Sequence, residues 1–111
     1  MTDSSASHFP QLFSPFRLGH TETPNRIVST SHGTNMASEG IPTPQLIAYH
    51  EAKARGGCGT VMMFGSGAAS PLTPIMNNHV NLWDDRAKNG LRDAAHAIKQ
   101  HGALAISQVT S

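Results

Sequence analysis

The chain has 111 residues, with eight Lys and Arg against seven Asp and Glu; a formal charge of +1 gives no basic field for nucleic acid or an anionic membrane. Charged residues are 14% and apolar residues 38%, a globular composition rather than that of a disordered tail. A single cysteine, Cys58, excludes an internal disulfide, and no segment approaches the roughly 18 consecutive apolar residues of a membrane span.

Residues 1–10 are expected to form a flexible polar tail, without the basic start and apolar core of a secretory signal, so the expected compartment is the cytoplasm. Phe16-Arg17-Leu18, then Gly19-His20, then Thr21 to Pro24 predict a short hairpin. The β-branched Ile27, Val28 and Thr30 predict a strand over Asn25–Thr30. Ser31 to Pro42, rich in Ser, Gly, Thr and Asn, reads as a loop.

Thr43-Pro44 combines a hydroxyl cap with proline at the first helical position, and Gly56-Gly57 supply the stop, so a helix is expected from Pro44 to Arg55. Thr60 to Phe64 is a near-continuous apolar run, as suits a strand buried on both faces. Gly65-Ser66-Gly67 reads as a tight turn opening an irregular excursion to about Asn81. Asp84 or Asp85 would cap a second helix, in which Leu91, Ala94, Ala95 and Ile98 form one apolar stripe. Gly90 weakens that helix and Gly102 ends it. Ala103 to Val109 is the third strand.

Hairpin, β, α, β, α, β is the alternation of a parallel α/β sheet. In such sheets ligands bind at the carboxyl ends of the strands, which here carry Thr30 to Thr34, Gly65 to Ala68, and Gln108 with Thr110 and Ser111. These are small, neutral hydrogen-bonding groups and exposed backbone, suited to a planar heterocycle read through amide edges. His32 reads either as a locally satisfied loop histidine or as a donor and proton source beside a cofactor. Gln108, an amide ending an apolar strand, must find a partner. Glu51, Lys53, Arg55, Arg92 and Lys99 read as solvated helix faces, Cys58, Met62 and Met63 as packing, and Trp83 as an anchor on the exterior. Seven histidines without an HxH or HxxxH pair predict no metal site. Gly65-Ser66-Gly67 lacks the third glycine of a dinucleotide fingerprint and the lysine of a P-loop.

Leu12-Phe13-Ser14-Pro15-Phe16-Arg17-Leu18-Gly19 followed by Pro24-Asn25-Arg26-Ile27-Val28 resembles the opening of the old yellow enzyme family, the FMN-dependent NADH:flavin oxidoreductases. The likeness continues through Gly40-Ile41-Pro42-Thr43, Tyr49 to Gly57, Gly65, Trp83-Asp84-Asp85, Leu91-Arg92, Ala95-His96-Ala97 and His101-Gly102-Ala103 to Gln108, covering residues 11–111. It implies the N-terminal portion of a (β/α)8 TIM barrel. It also implies FMN as cofactor, NAD(P)H as reductant, a small-molecule substrate, and no nucleic acid or membrane partner.

Carried over by position, Thr30, Ser31, His32 and Gly33 would wrap the flavin, Gly65 would let it approach the backbone, and Gln108 would bind its pyrimidine edge. His32 is similar to the histidine of the long amine-dehydrogenase and demethylase branch, where a 4Fe-4S cluster belongs to a longer chain. Ser31 stands in place of a more usual proline, Gly33 in place of a flavin-linking cysteine, and Ser111 in place of a common histidine. The catalytic groups of the family are expected downstream of this chain, and the remainder of the barrel is its expected partner, with homo-oligomers forming once complete. A barrel needs about 250 residues to close, so residues 11–111 are expected to be a partial domain that is inactive and unstable alone. The rival reading is a small free-standing α/β ligand-binding module without catalysis.

Overall fold

The computed structural model describes residues 8–73 and 78–111, with the side chain of Ser66 outside the description. Most of the expected tail, residues 1–7, also lies outside it. From Phe9 the chain turns, with Phe13 N donating to Phe9 O and Ser14 N to Gln11 O.

Strands β1 (Phe16–Leu18) and β2 (Thr21–Thr23) form the expected antiparallel hairpin, pairing Phe16 with Thr23 and Leu18 with Thr21. The next strand is shorter than expected. Only Val28–Ser29 forms β3, because Asn25 takes the preceding backbone into a turn. Its side chain accepts from Ile27 N and donates to Gly57 O, a local alternative to a sheet ladder.

Helix α1 (Pro44–Arg55) begins as read: Thr43 Oγ1 accepts from Leu46 N at 3.1 Å and Pro44 opens the first turn. Gly57, at φ +112°, provides the left-handed stop. Leu46, His50 and Ala54, spaced by four, form its buried face.

Strand β4 (Thr60–Ala68) corrects the sequence reading, since Gly65-Ser66-Gly67 lies within a strand and not in a turn. Val28 pairs with Thr60 and Ser29 with Val61, in parallel. Strand β5 (Leu104–Thr110) pairs with β4 from Thr60–Leu104 to Met63–Ser107, then resumes at Gly67–Val109. Two extra residues on β4 therefore bulge between Met63 and Gly67, and Phe64 sits there at φ +56°. The glycines serve close approach. A Cβ on Gly67 would lie 2.3 Å from Leu82 Cδ1 and 3.0 Å from Gln108 O.

Asp84 caps a single 3₁₀ turn, Asp85–Ala87, and not the helix itself. Its carboxylate accepts from Arg86 N and pairs with the Arg86 guanidinium at 2.7 Å. Helix α2 (Lys88–Lys99) follows directly, with Ala87 at its N-cap and no side-chain cap bond. Ala94 and Ile98 are fully buried, with Leu91 and Ala95 against them, so the apolar stripe stands as read.

The sheet order is β3-β4-β5, all parallel. Val61, Met63, Ala103 and Ala105 pack with Leu46, Ala54, Ala94 and Ile98 into one core between sheet and helices. The alternate residues Met62, Leu104 and Ile106 occupy the other face and are half-buried. Glu51 does not lie on a merely solvated face. It accepts from Gln100 Nε2 at 2.8 Å and pairs with His101 Nε2 at 3.0 Å, tying α1 to the end of α2. Trp83 keeps 41% of its surface exposed. Among the described residues no helix is long and apolar enough to cross a membrane, and no cluster of three metal-ligating side chains occurs.

Candidate functional site at the strand ends

Three parallel strands side by side bring the loop after β3, Gly65 of β4 and Gln108 of β5 to one place. Ser31, 77 residues from Gln108 in sequence, donates its hydroxyl to Gln108 Oε1. This meets the demand that an amide at the end of an apolar strand find a partner. Because Oε1 is engaged, the exposed amide keeps its Nε2 donors for a ligand carbonyl.

Gly65 is buried against the β3 loop. A Cβ there would lie 2.7 Å from Ser31 Cβ and 2.9 Å from His32 N. Its missing side chain is what allows the segment carrying Ser31 and His32 to lie on β4. Gly33 is similarly crowded, since a Cβ would come within 2.8 Å of His79 Nε2. Thr30 is exposed at the end of β3. Of the six candidate residues, Ser31, His32, Gly65 and Gln108 are thus brought together, and Gly33 meets His79.

The two irregular segments cover this end of the sheet. Asn81 N donates to Gly40 O at 2.8 Å and Ala37 N to Asn78 O at 3.0 Å, so the loop after β3 and the excursion after β4 are stitched to one another. Ala68 N donates to Val80 O and Leu82 N to Ala68 O, which fastens the excursion to the end of β4.

Three side chains that the sequence reading did not select also belong here. Tyr49 Oη lies 2.7 Å from His32 Nε2, with the rings edge to face. His50, 2% exposed, stands edge-on to both Tyr49 and Phe64. Burial, then Lys53 and His32, lowers its pKa from 6.5 to about 4, so the imidazole is neutral at ordinary pH. His79 has a buried Nδ1 with no hydrogen-bond partner. Only His50 had a sequence signal: a polar residue in the buried Leu46–His50–Ala54 row of α1.

The donor set fits a flavin: a hydroxyl after β3 and an amide on β5 that meet across β4, backbone brought close at Gly65, and an imidazole alongside. Ser31, His32 and Gln108 are the side chains that would hold it.

Residues 11–111 match the NADH:flavin oxidoreductase / NADH oxidase family. The chain is 35% identical over 104 residues to the N,N-dimethylglycine/sarcosine dehydrogenase of Chromohalobacter salexigens, covering 92% of this chain and 15% of that protein. It is 36% identical over 107 residues to the multifunctional alkene reductase/demethylase OYE of Caballeronia cordobensis, covering 96% of this chain and 16% of that one. Among solved structures, a 2-naphthoyl-CoA reductase complex superposes with a TM-score of 0.83 at 25% identity, over 89% of this chain and 15% of that chain. Morphinone reductase in complex with tetrahydroNAD superposes at 0.80 and 21% identity, over 90% of this chain and 27% of that chain, a likeness of fold alone. The chain therefore spans about one-sixth of the length of these two curated relatives.

Proposed function

Because the chain belongs to the NADH:flavin oxidoreductase / NADH oxidase family, we propose that residues 11–111 form the opening part of an FMN-binding (β/α)8 barrel, with the flavin held at the three strand ends. The complete protein would be an NAD(P)H-linked oxidoreductase acting on a small molecule. Relatives named for N-methylated glycines, alkenes and demethylation support an amine or an activated alkene as that molecule. The observation that carries this reading is the convergence of Ser31 from the loop after β3, Gly65 from β4 and Gln108 from β5 on one neutral hydrogen-bonding patch.

When bound, the flavin supplies hydride acceptance and donation. The work of this chain is to bind and orient. Gln108 would donate through Nε2 to the flavin's pyrimidine edge, and Ser31 holds the amide with its Nε2 free to do so. Gly65 acts through the backbone, letting the β3 loop close on β4. His32 adds a second polar group beside that loop, while Thr30 and Gly33 complete its rim.

The test joins residues 1–111 to the remaining barrel strands of the Chromohalobacter salexigens relative and titrates the product with FMN by fluorescence quenching. Stoichiometric binding is expected, weakened about tenfold by Gln108→Leu for the loss of one hydrogen bond. Binding that is absent from the fused barrel, or indifferent to Gln108→Leu, overturns the reading. Saturable, stoichiometric binding of a ligand other than flavin by the 111-residue chain alone would favour the free-standing module.

A further inference from the structure

Phe64 adopts φ +56°, a left-handed conformation that an aromatic residue rarely takes, and does so at the bulge of β4 immediately before Gly65. Such a conformation persists only where its surroundings hold it. What faces it is His50 on α1: Phe64 N donates to His50 Nε2 in a long hydrogen bond of 3.5 Å, and the two rings pack edge to face at 5.6 Å. The neighbouring residue, Tyr49, reaches the other wall of the site. Its hydroxyl meets His32 Nε2 at 2.7 Å, and the Lys53 ammonium lies 4.5 Å from its ring centroid. Successive helix residues point about 100° apart, so two consecutive side chains can serve two different loops. Between the loops lies the Gly65 contact with Ser31 and His32.

We propose that Tyr49 and His50 are the positioning pair of the strand-end site, His50 latching the Phe64 kink of β4 and Tyr49 orienting His32 on the β3 loop, a role that rests on the flavin reading above. Neither residue touches the reacting atoms. His50 serves as an acceptor, which requires an unprotonated Nε2. Its burial and the Lys53 ammonium favour that state, and the proton of the neutral ring then sits on Nδ1, which is buried without a partner. On this proposal the Tyr49 hydroxyl donates to His32 Nε2, which places the His32 ring proton on Nδ1.

Two readouts need no flavin and are made on the flavin-free fused barrel. Amide hydrogen exchange at Phe64 should quicken about tenfold in His50→Leu, which keeps apolar volume but removes the acceptor, and should recover in His50→Gln. The ¹⁵N shifts of the His32 ring should show the Nδ1–H tautomer and move toward the Nε2–H tautomer in Tyr49→Phe. Wild-type exchange at Phe64 as fast as in an unstructured peptide, or a His32 tautomer indifferent to Tyr49→Phe, overturns the proposal.

A third readout adds FMN to the fused barrel. His50→Leu should weaken FMN binding about tenfold and shift the flavin absorption band, with recovery in His50→Gln. Loss of thermal stability with unchanged flavin affinity would mean a merely structural histidine, and so overturn the positioning role. If the wild-type fused barrel binds no flavin, the flavin reading fails by itself, and the exchange and tautomer measurements still judge the pair.

Discussion

His50 occupies a position where the α1 pattern calls for an apolar residue, four after Leu46 and four before Ala54. Burial first, then the nearby Lys53 and His32, pushes its pKa down from 6.5 to about 4. The folded state therefore holds a neutral imidazole while an unfolded chain would take up a proton near 6.5. Its contribution to stability is complete above pH 6.5, is lost as pH falls from there to about 4, and changes no further once both states are protonated. Denaturant unfolding of the fused barrel should thus lose stability across this window, and His50→Gln should flatten the slope. An equal slope in the variant would show that His50 is not the group responsible. The sequence marked the position only weakly, as a histidine on an apolar row. Gln108 was more legible, because its need for a partner followed from its place at a strand end, although Ser31 as that partner did not.

The element boundaries divide according to how local their causes are. The start of α1 at Thr43-Pro44 and its stop at Gly57 were legible, since each depends on residues within one turn. The length of β4 was not, because Gly65-Ser66-Gly67 reads locally as a turn, whereas its glycines make room for Ser31 and Leu82. Gly90 in α2 is a similar case. By propensity alone, Gly90→Ala should stabilise the helix by about 1 kcal/mol. A Cβ there, however, would lie 2.8 Å from Pro42 Cβ and 2.9 Å from Pro42 Cγ, and a proline ring cannot swing aside. Overpacking of this kind costs about 1–3 kcal/mol, so the clash outweighs the propensity gain. Gly90→Ala should therefore lower the melting temperature of the fused barrel. A rise would show that α2 stands off from Pro42.

At the scale of the molecule, the sheet has one covered face and one that is not. Helices α1 and α2 bury Val61 and Met63, while Met62, Leu104 and Ile106 are half-buried and Val28 is 51% exposed. A groove of about 300 Å³ lined by Phe16, Leu18, Thr23, Asn25, Arg26, Val28 and Thr60 opens between the hairpin and the start of the sheet. Among the described residues, β3 and β5 each pair on one side only, leaving two unprotected edges. The 111-residue chain alone should bind a hydrophobic dye, self-associate and melt without a sharp transition, and these properties should disappear in the fused barrel. A monomeric 111-residue chain with a cooperative melt would contradict this.

The sequence by itself determined the hairpin, the βαβαβ order, the two helices with the first one's caps, and the family, because these depend on neighbours in the chain or on short motifs in a set order. It also narrowed the candidate site to the strand ends, where parallel α/β sheets place their ligands. Only the tertiary structure decided which of those residues meet. The Ser31–Gln108 bond spans 77 positions, and the approach of Gly65 to Ser31 and of Tyr49 and His50 to two separate loops depends on a parallel register and a two-residue bulge. The physical reason is that local propensity is set by adjacent residues. Side-chain contacts across a sheet are set by register, and one inserted residue would turn each side chain to the other face.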